Sequence, residues 1–522
     1  MRDFVFGANI IENITTGMYQ DSKVIYREYI QNACDQIDKA VREGLLGKDE
    51  GIIEIWLEQE KRTISIEDNA TGIPSADFER TLGDVAASDK KVGEDKGFRG
   101  IGRLCGLAFC RELIFTSTAA GEDVISVMKC DAVKMREMIN RNEQGEKFTA
   151  ADVLQSIFAF DTRPTTDVHS HWFKVELIEI NSENTDLLNF SQIKDYLSFV
   201  APVPYQNTFI FRGEVYKFAE SIGQFIDQYS IKLNGEDVYK KYSTNFKTSK
   251  GDDEIFSIHF EKFYDESNNL LAWMWFGVSR FRAVISKDCK MRGLRLRKEN
   301  IQIGNDDALQ KLFKEDRGHH YFVGEVFAVS KNLIPNSQRD YFNENPSRLF
   351  FERKLRFYFN DELYRTYYEG SAINSAFRRI DEYEKKQIDV ENKKNSGDYV
   401  DEAHFQSVLD DLEKSRVAAN KAQQDIEKKK QKASSDSNEV VSKVIERLEG
   451  DRKEQQSIPE RKNEVKTKVP AKGSTIIRRT DKLSAYSKNE RKLISKIFAV
   501  IVSATDENTA ETIIKKIEDE LQ

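Results

Sequence analysis

The segment Tyr26–Asp35 places a carboxylate, an amide and a second carboxylate at helical spacing. Glu28, Asn32 and Asp35 stand at i, i+4 and i+7, so they share one face of a predicted helix. A carboxylate can polarise a water molecule, and an amide oxygen can bind Mg²⁺. The same spacing is also typical of a solvated polar face, so this segment alone leaves both interpretations open.

Two glycine-containing segments follow this helix. Residues Ile64–Pro74 predict a strand and a turn, with Asp68 at the end of the strand and Gly72 where a ligand can approach the backbone. Residues Gly97–Arg103 predict a glycine-rich loop that enters a helix, and backbone N–H groups at such a position bind phosphate. The loop lacks the Lys-Ser/Thr ending of a P-loop. The polar segment Gly83–Lys96 before it argues against a Rossmann turn.

The order of these three segments resembles the GHKL ATPase superfamily, which includes gyrase, histidine kinases, mismatch-repair ATPases and the heat-shock-protein-90 chaperones. The stretch Arg27–Ala40 is most similar to the chaperone branch. The resemblance covers about the first 120 residues and extends more faintly to about residue 345. It implies an α+β protein with a Bergerat-type ATPase domain, in which helices pack on a mixed sheet. An α/β middle domain similar to a transducer domain and a helical C-terminal region would follow.

The resemblance also implies roles for individual residues. Glu28 would be the general base, Arg27 would tune its carboxylate, and Asn32 would coordinate Mg²⁺. Asp68 would accept the amino group of adenine, and Gly72 would let the base approach the backbone. Glycines of the loop would surround the phosphates, and residues 84–96 would form a mobile ATP lid. The implied nucleotide-binding residues are Asn32, Asp35, Asp68, Gly72, Ser88, Lys90, Gly97, Phe98, Arg99, Gly100, Ile101, Gly102 and Thr116.

Two positions near the expected adenine pocket depart from the family pattern or leave a choice. The family usually has Asp-X-Gly-X-Gly at the turn, whereas Ala70 stands here in place of the first glycine. If that position needs a positive φ, the pocket changes shape. The family also carries a threonine near the adenine on a late strand. Thr116 and Thr118 are both candidates, and either could be an ordinary strand hydroxyl.

A phosphoryl-transfer site needs positive charge on the γ-phosphate. The segment Pro335–Asp340 is similar to the middle-domain loop of the chaperones that reaches this phosphate, which implies Arg339 in that role with Asn336 in support. Arg339 could instead pair with Asp340 in a surface turn. The second candidate is a basic cluster, which could also be a solvated strand face: Arg292, Arg295, Arg297 and Lys298.

Composition along the chain predicts five parts. Residues 1–185 carry the nucleotide motifs, 186–345 form the middle region, and 346–432 are charged and helical. Residues 433–480, rich in Ser, Lys and Glu, predict a flexible linker with a short helix at Val440–Leu448. Residues 481–522 predict a helical hairpin whose core is too small to stand alone. This tail would pack either on a second copy, giving a homodimer that the resemblance also favours, or on the chain's own helices.

Charge, cysteine content and hydropathy narrow the classes of protein further. The net charge of −8 over 522 residues gives no global attraction to nucleic acid. The 5 cysteines contain no Cys-X-X-Cys pair, which predicts reduced thiols instead of a zinc site or a disulfide framework. Neither a long apolar run nor a signal peptide is evident. A cytoplasmic protein without membrane association is therefore expected.

These features favour an Mg²⁺-dependent ATPase that works as a chaperone-like conformational clamp, ATP closing its N-terminal domains around a protein client. The alternative is a nucleic-acid-associated clamp of the mismatch-repair or chromatin-remodelling type, with a role in genome defence. Only the basic stretch Lys287–Lys298 supports it. A histidine kinase needs an acceptor histidine before the ATPase motifs, whereas the first histidine is His169. A type II topoisomerase needs a tyrosine-bearing cleavage domain, and none is recognisable.

Overall fold

The chain folds into two compact units. The first contains the chain up to Ser279 together with Ala283–Tyr364, and the second contains Arg280–Arg282 and Arg365–Gln522. The computed structural model describes residues 6–15, 17–18, 21–85, 100, 102–396, 399, 402–435, 438–457 and 480–522.

An eight-stranded mixed sheet dominates the first part of the first unit. Its strands are β1 (Ile52–Glu58), β2 (Thr63–Asp68), β3 (Glu112–Thr118), β4 (Val124–Asp131), β5 (Phe158–Pro164), β6 (Trp172–Ile178), β7 (Ser230–Leu233) and β8 (Glu236–Asp237). They are ordered β5-β4-β3-β6-β2-β1-β7-β8, and β1 pairs in parallel with β7. Alternate residues of β1 and β2 are buried, as period-two side-chain alternation requires.

Helices of this unit bury apolar side chains in the core formed with this sheet: α1 (Asn9–Ile14), α2 (Val24–Glu43), α3 (Ser75–Gly83), α4 (Ala132–Glu143), α5 (Ala150–Ile157) and α6 (Phe190–Val200). Helix α7 (Arg212–Ser221) packs elsewhere in the unit, since its Val215 and Ala219 share a separate core with Trp273 and Trp275. In α2, Tyr26, Ile30, Ala33 and Ile37 recur at helical spacing and join the core formed with the strands. Gly44, in the left-handed conformation, ends the helix. The same helix face therefore fixes the orientation of Glu28.

A second sheet of five strands occupies the rest of the first unit. A separate hairpin, β9 (Asn245–Thr248) and β10 (Gly251–Glu254), precedes it. The sheet contains β11 (Ser257–Tyr264), β12 (Leu270–Val278), β13 (Gly293–Lys298), β14 (Ile301–Gln302) and β15 (Val323–Ala328), in the order β11-β12-β15-β13-β14. Two further helices, α8 (Asp316–His319) and α9 (Pro346–Tyr358), belong to this region. The mixed sheets and helices confirm the predicted α+β fold.

The two sheets do not divide at the predicted boundary after residue 185. Strand β7 lies in the predicted middle region, yet Ile231 pairs with Ile53 and extends the first sheet. Ile231 and Leu233 are buried in the core of that sheet. Because these two side chains are buried there, the short strand belongs to the N-terminal sheet. A strand as short as β7 gives only a weak periodic signal in the sequence.

A buried ion cluster links the strands of the second sheet to the preceding loops. The side chains of Glu325, Lys240 and Arg297 are all completely buried. The Glu325 carboxylate accepts hydrogen bonds from Lys240 Nζ at 3.2 Å, from Arg297 Nε and from the hydroxyl of Tyr205. Burial alone raises the pKa of Glu325, but Arg297 and Lys240 outweigh that effect and hold it at about 2. The carboxylate therefore stays charged, and its stabilising contribution is lost only as the pH falls from about 4.5 towards 2.

The second unit is built from long helices. They are α10 (Tyr364–Ser396), which begins at the end of the first unit, α11 (Glu402–Ser435), α12 (Glu439–Ser457), α13 (Lys488–Ala504) and α14 (Glu507–Leu521). Helix α12 is much longer than the short Val440–Leu448 helix expected within the linker. Val441, Val444 and Ile445 are buried, and burial of such an apolar stripe stabilises the helix. Charged residues dominate the composition of the segment, so composition alone predicts a linker. Residues 458–479 of the predicted linker lie outside the described residues.

The C-terminal helices form a capped pair. Ser487 and Glu490 make a capping box at the start of α13, and the Asp506 side chain accepts from the backbone N–H of Thr509 at the start of α14. One face of α13 packs within the second unit, where Ser495 donates to the carbonyl of Tyr399. Among the described parts of the chain, no helix combines the length and apolar character needed to cross a membrane.

Candidate active site

Glu28 projects from α2, and its carboxylate oxygen Oε1 is buried. Its side chain is only 13% exposed, and Arg27 Nη2 lies 3.5 Å from Oε1. Within the described residues, Oε1 has no hydrogen-bond donor. A buried acceptor without a donor carries a desolvation cost that a bound water would remove. The position therefore suits a base that orients a water molecule.

The glycine-rich loop passes directly against this carboxylate. A Cβ atom at Gly102 would lie 2.4 Å from Glu28 Oε2, so only glycine allows this approach without a shift. The hydroxyl of Tyr29 donates to the carbonyl of Arg103 at 3.0 Å and accepts from the N–H of Gly106, which ties the loop to α2. The helix entered by the loop, Gly102–Ala108, is a 3₁₀ helix.

Only part of the predicted phosphate site belongs to the described residues. Gly100 is described and has a φ of 68°. The predicted lid and most of the glycine loop lie outside the described residues. This applies to Ser88, Lys90, Gly97, Phe98, Arg99 and Ile101.

The predicted metal ligand Asn32 lies one turn after Glu28 on α2 and is half-buried. Asp35, on the same side of the helix, is only 5% exposed. An amide oxygen next to a carboxylate belongs to the hard oxygen donors that Mg²⁺ prefers. The donor set therefore fits a magnesium ion bound through Asn32.

Asp68 ends β2 inside the sheet, where it is 4% exposed. Its Oδ1 accepts the backbone N–H of Ala70 at 3.1 Å. Burial raises the pKa of Asp68 to about 7, and the Ala70 hydrogen bond opposes that rise only in part. At neutral pH this carboxyl group is therefore poised between its charged and neutral forms.

The turn after Asp68 has the backbone freedom that it needs without a glycine at position 70. The left-handed φ of the turn, 63°, belongs to Gly72 and not to Ala70. A Cβ at Gly72 would lie 1.9 Å from the carbonyl oxygen of Thr118, so no other residue fits there. Ala70 therefore introduces no backbone strain into the pocket.

The strand register places the hydroxyl of Ser117, and not that of Thr116, on the face of the sheet that carries Asp68. Thr116 pairs with Lys174, which pairs with Glu67, so Thr116 lies on the opposite face of the sheet from Asp68. The prediction of Thr116 as a pocket residue is wrong for that reason. Phe173 lies beside Asp68, and Ser117 lies beside Phe173 on the same face. A one-residue difference in register cannot be read from this strand sequence.

Arg339 reaches the neighbourhood of Glu28 from the second sheet of the same unit. It is 7% exposed, and its φ of 54° places it in the left-handed region, which is costly for a residue with a Cβ. Arg27 Nη2 donates to the carbonyl of Gln338 at 2.8 Å, which joins α2 to this turn. Burial lowers the pKa of Arg339, and the negative charge of Glu28 opposes that effect. The alternative of an exposed turn is therefore wrong.

Asn336 and Asp340 shape the same turn. Asn336 Nδ2 donates to the carboxylate of Asp340, and the carbonyl of Asn336 accepts from the N–H of Arg339 at 3.1 Å. A second tie comes from the N–H of Gly304, which donates to the carbonyl of Arg339 at 2.8 Å. These contacts place Asn336 as a support of the turn.

The other basic candidates lie in the interior. Arg297 belongs to the Glu325 cluster, Arg295 donates to Gln302 Oε1 at 2.9 Å, and Lys298 donates to the carbonyl of Ser330 at 3.0 Å. All three are less than 10% exposed, so the expectation of a solvated basic face is wrong. Burial takes these three side chains away from the surface, while Lys287 and Lys290 of the same basic stretch stay exposed. His319 is buried as well and accepts from the N–H of Leu294.

Part of this chain is similar to known proteins. Residues 21–156 match the family described as histidine kinase-, DNA gyrase B-, and HSP90-like ATPase. The chain is similar to the chaperone protein HtpG of Halalkalibacterium halodurans, with 27% identity over 130 residues, or 22% of this chain and 21% of that protein. It is also similar to the HtpG of Psychrobacter arcticus, with 33% identity over 95 residues, or 17% and 14% of the two chains. The HtpG of Chlorobium phaeobacteroides shows 34% identity over 97 residues, or 17% and 16%.

These similarities span between 14% and 21% of the three relatives' own lengths. Glu28, Asn32, Asp68, Gly72 and Gly102 lie within residues 21–156, the range that the family model matches. Arg339 lies outside that range. Its position beside Glu28 is therefore known from the fold of this chain alone.

Proposed function

We propose that this chain, whose residues 21–156 form a GHKL-type ATPase domain, binds ATP and hydrolyses it to ADP and phosphate with Mg²⁺. The carboxylate of Glu28 carries the proposal. Its Oε2 faces the backbone at Gly102, its charge acts on Arg339, and within the described residues no group donates a hydrogen bond to its Oε1. A water at this oxygen would have a base on one side and a phosphate-binding loop on the other.

In the proposed reaction Glu28 orients the attacking water and takes its proton as the water oxygen bonds to the γ-phosphorus. The bond from that phosphorus to the β,γ-bridging oxygen breaks, and ADP leaves with the bonding electron pair. The guanidinium of Arg27 lies 3.5 Å from Glu28 Oε1 and would orient this carboxylate. Asn32 would hold Mg²⁺, which neutralises charge on the phosphates. Gly102 leaves room for the γ-phosphate near the base, and Asp35 adds negative charge near the proposed metal ligand.

Base recognition would occur at the end of β2. Asp68 would accept a hydrogen bond from the adenine amino group, and Gly72 would let the base approach the backbone. The burial of Asp68 supports this role, since the Ala70 N–H donates to Oδ1 and a ligand could donate to Oδ2.

Arg339 would stabilise the charge that develops on the γ-phosphate. Replacing it with alanine should lower kcat for ATP hydrolysis by about 10- to 100-fold, because one preorganised donor is lost from the transition state. The Kd for ATP should change by less than about threefold, since Asp68 and the loop remain. Steady-state hydrolysis and equilibrium ATP binding measure the two effects.

The matched control for Arg339 is Arg317→Ala. Arg317 is 63% exposed and pairs with Glu315 at the surface. It should hydrolyse ATP like the wild type. An Arg339→Ala variant with unchanged kcat would remove Arg339 from the mechanism and leave the rest of the proposed site standing.

The wider role that we propose is an ATP-driven, chaperone-like clamp acting on a protein client in the cytoplasm. The Arg27–Gln338 contact supports it, because the helix of the proposed base is bonded to a turn of the second sheet. A nucleotide-dependent movement of α2 would therefore displace the turn at Gln338, and a movement of the turn would displace α2. The named relatives are chaperones. The described cysteines are all free thiols, which fits a reducing compartment.

A homodimer through the C-terminal tail belongs to this proposal. Leu493, Ile497 and Val500 follow one another along α13 and are 61%, 46% and 65% exposed. A Leu493→Lys/Val500→Lys variant should sediment as a monomer under conditions in which the wild type is a dimer, because charges would replace the apolar contact. Ile388→Lys, at a residue of α10 that is 60% exposed, is the control and should leave the wild-type mass unchanged. A monomeric wild type would contradict this part of the proposal.

A further inference from the structure

The turn that follows Asp68 is held from several directions. Asn69 Oδ1 accepts the N–H of Ile52 at 2.8 Å, which fixes the turn to β1. Thr71 donates to Gln36 Oε1 on α2 at 3.0 Å. The N–H of Ile73 donates to the hydroxyl of Ser117 on β3 at 2.8 Å. Three neighbouring elements thus fix the turn on both sides of Ala70.

His171 supplies the contact at Ala70 itself. Its Nδ1 lies 2.5 Å from the carbonyl oxygen of Ala70, and the ring is half-buried just before β6. A carbonyl oxygen can only accept a hydrogen bond, so Nδ1 must carry the proton. The ring therefore donates to the turn in both its neutral and its charged form.

Ala70 connects His171 to the carboxylate of Asp68. The N–H of Ala70 donates to Asp68 Oδ1, while the carbonyl of Ala70 accepts from His171. His171 also precedes Phe173 by two residues, and Phe173 is the neighbour of Asp68 in the sheet. The imidazole is therefore one residue removed from the group proposed to read the base.

We propose that His171 is a positioning residue for base recognition, which holds the Ala70 peptide so that Asp68 faces the adenine in the required orientation. This inference rests on the proposed ATP-binding function. Loss of the ring would release the Ala70 carbonyl and let the Ala70 N–H, and with it the Asp68 carboxylate, rotate away from the base. The phosphate side of the site, at Glu28 and Gly102, does not depend on this contact.

The test compares His171→Ala with His171→Asn in the full chain. Asparagine places an amide N–H close to the position of imidazole Nδ1 and can restore the bond to Ala70. We expect the Kd for ATP to rise by about 5- to 10-fold in His171→Ala, as loss of one hydrogen bond predicts. In His171→Asn it should return to within about twofold of the wild type, and kcat at saturating ATP should be unchanged in both variants.

Inorganic tripolyphosphate separates the two ends of the site, because it has no base. Its inhibition constant should be equal in the wild type and His171→Ala. The control variant is His169→Ala. His169 is exposed, and its backbone N–H donates to Asp167 Oδ1. This variant should bind ATP like the wild type.

Three outcomes would overturn the inference. His171→Ala could bind ATP with wild-type affinity, asparagine could fail to restore the affinity, or tripolyphosphate binding could weaken as much as ATP binding. The last result would indicate a general structural role. A wild-type protein that binds no ATP would overturn the proposed function instead, so the two failures are distinguishable.

Discussion

Replacing Glu28 with glutamine should lower kcat for ATP hydrolysis by about 10³- to 10⁴-fold, the upper part of the range for loss of a general base. Glutamine has nearly the same shape but cannot take a proton. The contact with Gly102, which leaves no room for a larger group, should therefore be preserved. ATP affinity should stay within about threefold, because the nucleotide is held mainly by other residues. Single-turnover hydrolysis and equilibrium binding, measured on the same preparation, separate the two parameters.

A control on the same helix makes the Glu28 result specific. Glu43 is exposed in the last turn of α2 and lies 3.9 Å from Lys39. Glu43→Gln should hydrolyse ATP at the wild-type rate. Retention of more than about a tenth of the wild-type kcat by Glu28→Gln would exclude Glu28 as the base, since even a modest general base contributes about 10²-fold.

Replacing Asp68 with asparagine should abolish useful ATP binding and at the same time stabilise the fold. The Oδ1 of asparagine can keep the bond from the Ala70 N–H, which leaves the Nδ2 donor facing the amino group of adenine. Two opposed donors, in a site built for an acceptor, should weaken ATP binding by at least about 100-fold. Titration with ATP at pH 7.5 measures this loss.

The gain in stability follows from the pKa of Asp68. Burial raises that pKa from 3.8 to about 7, so the folded state binds a proton that the unfolded state has lost between these values. The wild type is therefore less stable above pH 7 than below pH 4, by about 4 kcal/mol from this group. Asparagine cannot ionise, so the rise in unfolding temperature should be largest above pH 7 and vanish below pH 4.

Thermal unfolding across this pH range tests the second half of the prediction. The matched control is Glu67→Gln, because Glu67 neighbours Asp68 but lies on the opposite face of the sheet. It should bind ATP normally. A destabilised Asp68→Asn protein at pH 8, or one that still binds ATP tightly, would contradict the assignment of a buried, base-reading carboxyl group.

Local motifs with a physical requirement were readable from the sequence. The spacing of Glu28 and Asn32 placed them one turn apart on α2, and Asp68 ended its strand as predicted. At Gly72 and Gly102 a Cβ would collide with a neighbouring protein atom, while the predicted approach of the base and the phosphates at these glycines stays a prediction. The mixed sheet with packed helices followed from the same motifs.

Features that depend on pairing between distant segments were not readable. The face of Thr116 is set by its register with β6, and β7 joins the first sheet through a parallel pairing with β1. Arg297 looked like surface because its partners, Glu325 and Lys240, come from other parts of the chain. His171 carries no recognisable signal in the sequence for the same reason, since its partner Ala70 is 101 residues away.

The central claim is that this chain binds and cleaves ATP at the site between Asp68 and Gly102. Its most direct test uses the purified wild-type protein, labelled ATP, and samples with and without Mg²⁺, in which bound nucleotide and released phosphate are both measured. The account predicts saturable ATP binding and release of phosphate that requires Mg²⁺. Absence of ATP binding in the presence of Mg²⁺ would contradict it.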